Sequence, residues 1–145
     1  IFVDSRIKME SLAHKEYVQN AIDYIKREFG VSDSQIAADL GDASMLPPKS
    51  IDGFRADIYV NTPSLIIIGE AKTDNDINNN HTLAQFASYV KEARVYDKKR
   101  HIVMSGSMAA YPSIRNFIRR FRKRNDVPGI TFHTVDPFKK GEVLK

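Results

Sequence analysis

The segment SLIIIGEAKT, residues 64–73, constrains the fold more than any other part of the chain, because four consecutive apolar residues in it precede a Glu and a Lys. A run from Leu65 to Ile68 without a polar residue is typical of a strand that is covered on both faces. Buried Glu and Lys residues are rare unless they are paired or bind something. The segment therefore predicts a central strand whose end carries an ion pair or a functional site.

Strand alternation predicts which side chains meet at this end. Glu70 and Lys72 are two residues apart, so we expect them on the same face of the strand. A short turn at residues 61–63 precedes the strand, so we expect it to pair antiparallel with the strand before it. Asp57 lies about as far before the turn as Glu70 lies beyond it. We therefore expect Asp57 to lie opposite Glu70 and Lys72 on the neighbouring antiparallel strand. One Asp, one Glu and one Lys then converge at an edge of the sheet.

The remaining periodicities predict three amphipathic helices and four further strands. Helices are expected over residues 11–29 (stripe Leu12, Val18, Ile22, Ile25 and Phe29), 83–93 (Leu83, Phe86, Ala87, Val90 and Ala93) and 111–125 (Ile114, Phe117, Ile118 and Phe121). Strands are expected over residues 34–40, 54–60, 101–105 and 129–135, with loops over 41–53 and 73–80. In the strand over 54–60, alternation puts Phe54, Ala56, Ile58 and Val60 on one face and Arg55, Asp57 and Tyr59 on the other. The order α-β-β-β-α-β-α-β predicts an α/β fold with a mixed central sheet flanked by helices.

Composition limits the classes of protein to consider. A chain of 145 residues with 42% hydrophobic content suits one domain over residues 1–145, and because it begins with Ile1 we expect it to belong to a longer protein. We expect no membrane-spanning segment, because no stretch is apolar enough, and no signal peptide. The absence of cysteine excludes disulfides and thiolate metal sites, and it favours a cytoplasmic location. A net charge of +4 suits a polyanionic partner.

The predicted cluster has the chemistry of a metal-dependent hydrolase. Two carboxylates, here Asp57 and Glu70, are the ligands that Mg²⁺ prefers, and Mn²⁺ is a second possibility. Lys72 could orient or activate a water for attack on a phosphodiester. Asp97 and Lys99 have the same spacing but follow a helix with no apolar strand before them, so we interpret them as surface charge. The four histidines are scattered without metal-ligand spacing, and we expect each to be an ordinary surface or packing residue.

Asp57 followed by Glu70-Ala71-Lys72 at the end of an apolar strand resembles the PD-(D/E)xK nuclease superfamily. The core order of its restriction-endonuclease-like fold is similar to residues 11–105, about two-thirds of the chain. Gln85 and Tyr89, one helical turn apart, are similar to the Gln-x-x-x-Tyr motif of the RecB-like branch. Ala56 stands where many members have Pro.

The resemblance implies roles for these residues. Asp57, Glu70 and the Ala71 carbonyl would bind the metal, Lys72 would activate water, and Gln85 with Tyr89 would position DNA. Glu16, or Glu10 if the first helix is rotated, would complete a second metal site. Cleavage would leave 5′-phosphate and 3′-hydroxyl ends. A bacterial or phage enzyme of defence, repair or recombination is implied, and many relatives form homodimers or larger complexes.

Each of these interpretations has a structural alternative. Asp57, Glu70 and Lys72 could form a purely structural ion-pair network. Gln85 and Tyr89 could be the polar flank of a helix that packs on the core. Asp74 and Asp76 suit turn and capping roles. A row of cations on the third helix suits DNA phosphates, but could be a solvated face; it includes Arg115, Arg119, Arg122 and Lys123. The whole domain could also be an inactive relative that binds nucleic acid or a partner protein.

Overall fold

A computed structural model describes residues 5–41, 44–73, 77–125 and 127–144, with side chains described from Leu12 onward. The α/β class and the mixed sheet with helices on both faces are confirmed. Among the described residues, no helix is both long enough and apolar enough to cross a membrane.

Three helices and eight strands make up the described fold. The helices are α1 (Ser5–Phe29), α2 (Asn80–Arg94) and α3 (Tyr111–Arg124), and a 3₁₀ turn covers Asp33–Gln35. The strands are β1 (Ile36–Ala38), β2 (Ser50–Ile51), β3 (Phe54–Arg55), β4 (Ile58–Asn61), β5 (Leu65–Lys72), β6 (Lys99–Gly106), β7 (Ile130–Val135) and β8 (Gly141–Leu144). Six of these strands form one sheet in the order β1-β4-β5-β6-β7-β8, and β2 pairs with β3 alone.

Strand β5 lies inside the sheet, as its apolar sequence predicts. It pairs antiparallel with β4 and parallel with β6, and every residue of it except Lys72 is buried. Ile66 and Ile68 pack against α2 and α3, whereas Leu65 and Ile67 pack on the side of α1. Because both faces are covered, the only way for its polar side chains to reach solvent is at the strand's carboxyl end.

Helix α1 begins six residues earlier than predicted and covers one face of the sheet. Val18, Ile22 and Ile25 are fully buried against that face. Leu12 is 58% exposed, so the prediction that it belongs to the buried stripe was wrong. The stripe of α3 is buried as predicted, whereas Ala87 on α2 is exposed, contrary to the prediction.

The segment before β5 differs most from its prediction. The expected loop and strand contain a short hairpin, β2–β3, whose turn has Asp52 and Gly53 at positive φ. The chain then breaks before β4, so side-chain alternation is not continuous through it. Ala56 consequently packs in the core under α2 and α3, whereas Ile58 packs under α1. The prediction that they share a face was wrong.

Two further strand features were not predicted. Strand β8 adds a sixth strand to the sheet by pairing antiparallel with β7. Strand β6 is longer than expected, and its last residue, Gly106, lies beside Lys72 of β5. A Cβ at Gly106 would lie 2.5 Å from the Lys72 carbonyl oxygen, so the backbone at the end of β5 needs glycine there.

Candidate functional site

Asp57 is buried immediately before β4 and is held by both neighbouring elements. Its Oδ2 accepts a 2.8 Å hydrogen bond from the Ala71 amide of β5. The same oxygen lies 3.2 Å from Nε2 of His14 on α1. The backbone amide of Asp57 donates to the Gly69 carbonyl at 3.1 Å. These contacts fix the carboxylate beside the end of β5, where the sequence predicted it.

Glu70 is 6% exposed and points toward α2. Its Oε2 accepts a 2.8 Å hydrogen bond from the phenol of Tyr89. Burial, followed by the like charge of Asp57, raises the pKa of Glu70 well above its usual range. Burial also raises the pKa of Tyr89, so this phenol stays a hydrogen-bond donor. Asp57 and Glu70 are therefore two neighbouring, buried carboxylates whose negative charges repel each other.

Lys72 completes the group at the boundary with solvent. Its Nζ donates a 3.0 Å hydrogen bond to Oε1 of Gln85 and lies 3.8 Å from Oε1 of Glu70. Gln85 and Tyr89 thus contact the two ends of the Glu-Ala-Lys tripeptide from one face of α2. Helix α2 therefore runs antiparallel to β5, with its first turns at the site. The structure brings together all five residues, Asp57, Glu70, Lys72, Gln85 and Tyr89.

His14 is a member of this group that the sequence interpretation missed. Its hydrogen bond to Asp57 is the largest cause of its raised pKa, which burial opposes and the charges of Asp57 and Asp39 support. Asp39 follows β1, and its amide donates to the Asp57 carbonyl at 2.9 Å. A signal was present, because His14 lies one helical turn before the buried Val18. A buried stripe that starts at Leu12, as predicted, leaves His14 off the buried face, but Leu12 is exposed.

The other predicted metal-site residues are less directly connected. Glu16 is exposed on α1, and no described contact joins it to Asp57, Glu70 or Lys72. The side chain of Glu10 and the residues Asp74 and Asp76 lie outside the described residues. The role of the Ala71 carbonyl stays a prediction, because the described contact of Ala71 with Asp57 is through its amide.

The predicted nucleic-acid-binding cations fall into two groups. Arg115 lies 3.0 Å from Glu142 of β8, and Arg122 donates to the Leu144 carbonyl and stacks over a ring of the core. These two are used within the fold. Arg119 and Lys123 are exposed on the outer face of α3, together with Arg120 and Arg124.

In the part of the chain that the structure describes, no set of three or more His, Cys, Asp or Glu side chains is placed to hold a metal ion. The candidate ligands are therefore the two carboxylates Asp57 and Glu70, supported by His14. Mg²⁺ is commonly bound by one or two carboxylates and several waters, so this donor set suits it chemically.

Comparison with known proteins does not extend the assignment. No family model matches the chain, and no match is found among curated proteins or among solved structures.

Proposed function

We propose that the chain is a Mg²⁺-dependent nuclease domain with a restriction-endonuclease-like core, which hydrolyses DNA phosphodiester bonds. The observation that carries the proposal is the pair of carboxylates, Asp57 and Glu70, buried at the end of one strand with Lys72 beside them. Lys72 lies 3.8 Å from Glu70 and lowers its pKa, but the like charge of Asp57 raises that pKa by more. A divalent cation bound between the two carboxylates would relieve this remaining repulsion.

Asp57 and Glu70 would bind the metal, with the Ala71 carbonyl as a further candidate ligand. The bound ion would neutralise the carboxylates and polarise the phosphate oxygens. The Ala71 amide and His14 orient Asp57, and Tyr89 orients Glu70. Such fixed side chains keep a site in its reactive geometry without a cost of rearrangement at each turnover.

Lys72 is the residue that acts on the attacking water. The hydrogen bond from its Nζ to Gln85 holds the ammonium at the strand end, where it can orient a water and stabilise the charge that develops on the phosphate. Attack by that water would break the bond to the 3′ oxygen, leaving a 3′-hydroxyl and a 5′-phosphate, as the family resemblance implies.

DNA is the proposed substrate because of the surface charge as well as the site. Arg119, Arg120, Lys123 and Arg124 form an exposed row on α3, which we call the α3 basic row. Within the described residues, none of the four has an ion pair or hydrogen bond to an acidic side chain. Phosphate binding by Arg is favoured by its planar, two-pronged donor group.

The test is cleavage of labelled single-stranded, duplex and branched DNA with Mg²⁺, Mn²⁺ or EDTA. We expect metal-dependent cutting by the wild type and none by Asp57→Asn. Asp97→Asn is the matched control, because Asp97 has the same spacing to a Lys as Glu70 but is exposed outside the site. If the folded wild type cuts no substrate with either metal, the proposal fails, and a domain that only binds nucleic acid or a protein becomes the better description.

A further inference from the structure

We propose that a groove on the outer side of α2 and α3 binds an acidic peptide segment carrying a large apolar side chain. The groove lies between the carboxyl-terminal halves of α2 and α3 and has a volume of about 290 Å³. It is lined by Ala87, Val90, Lys91 and Arg94 of α2, by Phe121 of α3, and by Asn125 and Val127 after it. This inference is independent of the proposed nuclease activity.

The groove is separate from the candidate active site. Gln85 and Tyr89 are buried on the side of α2 that faces β5, whereas Ala87 and Lys91 are exposed on its outer side. The groove extends to Arg94, about 14 Å beyond Gln85 along the helix at 1.5 Å per residue. Arg100 at the start of β6 donates a 3.0 Å hydrogen bond to the Ala93 carbonyl, so this end of α2 lies over the amino ends of the parallel strands. A ligand here would leave the site at the carboxyl end of β5 open.

The floor and the rim of the groove differ in chemistry. Val90 and Phe121 are buried in the floor, and the exposed Ala87 leaves space above them because its side chain is one methyl group. Lys91 at the rim is largely exposed, and its pair with Asp52 spans 3.8 Å between exposed groups, which contributes little. An apolar floor with a charged rim is typical of a protein interface in which one side chain of the partner is buried and the charges around it determine specificity.

Charge complementarity selects an acidic partner. Exposed cations lie in the last turns of both helices, Lys91 on α2 and Lys123 and Arg124 on α3, and Lys99 is exposed at the start of β6. Of the nearby acids, Glu92 is paired with Lys49, and Asp52 lies 3.8 Å from Lys91. The electrostatic field at this end of the molecule therefore attracts anionic partners.

The floor favours a peptide over nucleic acid as the occupant. Phe121 is 2% exposed, so the apolar surface open to a ligand comes from the aliphatic side chains of Ala87 and Val127, and no ring face is offered on which a base could stack. Contact with an apolar floor adds no favourable free energy for a phosphate. A Leu or Phe side chain, in contrast, would bury apolar surface there, which favours binding. A volume near the lower limit for ligand pockets suits one such side chain.

The experiment is fluorescence anisotropy with a labelled hexapeptide, Glu-Asp-Glu-Asp-Leu-Phe, and a second peptide in which Gly-Ser replaces Leu-Phe. We expect saturable binding of the first peptide at least about 10-fold tighter than that of the second. Ala87→Phe, which fills the groove from an exposed position, and Lys91→Glu, which reverses the rim charge, should each weaken binding at least about 5-fold. Arg119→Glu is the matched charge reversal on the far face of α3 and should change binding less than about 2-fold.

Four results would overturn the proposal. The first is no saturable binding of the Leu-Phe peptide, and the second is equal binding of both peptides. The third is an effect of Arg119→Glu as large as that of Lys91→Glu, which would indicate diffuse charge attraction. The fourth is an oligonucleotide affinity that Ala87→Phe reduces while peptide binding is unchanged, which would assign the groove to nucleic acid. Thermal melts of each variant show whether the fold is retained.

Discussion

The phenol of Tyr89 donates a 2.8 Å hydrogen bond to Oε2 of Glu70, a carboxylate that is 6% exposed. This contact orients Glu70 and offsets part of the cost of burying it, because a buried acceptor left without its donor costs about 1–3 kcal/mol. It joins the middle of α2 to the end of β5, so it ties the position of the candidate ligand to the packing of the helix.

Removing this hydroxyl should lower activity, because Glu70 would lose the donor that orients it. We expect Tyr89→Phe to reduce the cleavage rate at least about 10-fold, a change that corresponds to roughly 1.4 kcal/mol. Tyr59→Phe is the matched control, because Tyr59 donates a 2.8 Å hydrogen bond to Glu92 away from the site. Single-turnover rates and thermal melts of both variants make the comparison. Equal rates in the two variants would contradict the orienting role of Tyr89.

Divalent cations should stabilise the wild type through Glu70. In EDTA we expect Glu70→Gln to melt above the wild type near neutral pH, because a neutral amide removes the repulsion from Asp57 and the cost of a buried charge. In Mg²⁺ the order should reverse, since a ligand at 100 times its Kd adds about 2.7 kcal/mol to the folded state that binds it. Differential scanning fluorimetry in both conditions measures this. A Mg²⁺-induced shift of the same size in Glu70→Gln would show that the ion binds elsewhere.

His14 should affect activity, and Glu16 should not. His14 contacts Asp57 directly, whereas Glu16 is exposed two residues along the same helix. We expect His14→Ala to lower the cleavage rate at least about 10-fold and Glu16→Gln to change it less than about 2-fold. Rates measured at saturating Mg²⁺ and again at limiting Mg²⁺ separate weaker metal binding from slower chemistry. A large effect of Glu16→Gln would restore the second-metal role that the family resemblance implies.

Several features of the site could be predicted from the sequence because they depend on local periodicity. A strand period of two places Glu70 and Lys72 on one face, and helical spacing places Gln85 and Tyr89 on another. Once the helix packs on that face of β5, the four side chains must meet. The apolar run before Glu70 also identified the one strand end where polar groups could emerge from a covered sheet.

The features that could not be predicted depend on how elements cross or break. The part played by His14 depends on the angle of α1 over the sheet, which puts Leu12 outside the buried stripe and His14 over Asp57. The faces of Ala56 and Ile58 depend on a break between β3 and β4 that alternation alone conceals. The sequence places Arg115 and Arg122 in the predicted DNA-binding row because no periodicity predicts β8, the strand that they contact.

The buried His133 on β7, in contact with the half-buried His101 on β6, should make the fold sensitive to acid. Nδ1 of His101 lies 2.9 Å from Nε2 of His133, and burial, with a smaller effect of His101, lowers the pKa of His133 to about 4. In the unfolded chain His133 binds a proton near pH 6.5, whereas in the folded chain it stays neutral until the pH is close to 4. The free energy of unfolding that this residue contributes above pH 6.5 is therefore lost as the pH falls toward 4. We expect this residue to account for on the order of 2 kcal/mol of that loss.

Urea unfolding of the wild type and of His133→Gln at pH 7 and pH 5 tests this sensitivity. The variant should be less stable at pH 7, because the 2.8 Å contact between Tyr24 and His133 is disturbed, but it should lose less stability between the two pH values. His81→Gln is the control, since His81 is exposed. Identical losses in the wild type and in His133→Gln would refute the assignment.

Substitutions on α3 should separate DNA binding from stability. We expect Arg119→Gln with Arg120→Gln to reduce the salt dependence of DNA affinity by about 1 to 2 in the log–log slope, because each lost phosphate contact contributes about 0.9. Arg115→Gln with Arg122→Gln should instead lower the melting temperature, because those two side chains bind Glu142 and the Leu144 carbonyl. Affinities between 50 and 200 mM salt measure the first effect. An unchanged slope in the first pair would exclude the α3 basic row from the DNA interface.

The most direct test of the central claim is the single-turnover cleavage rate of Lys72→Met in Mg²⁺, on whichever DNA the wild type cuts best. Lys99→Met is its matched control, because Lys99 follows Asp97 with the same spacing but is exposed at the start of β6. The site described above predicts a loss of about 10³-fold or more in Lys72→Met, with the Mg²⁺-induced rise in melting temperature retained and Lys99→Met unaffected. Cleavage by Lys72→Met at the wild-type rate would contradict it.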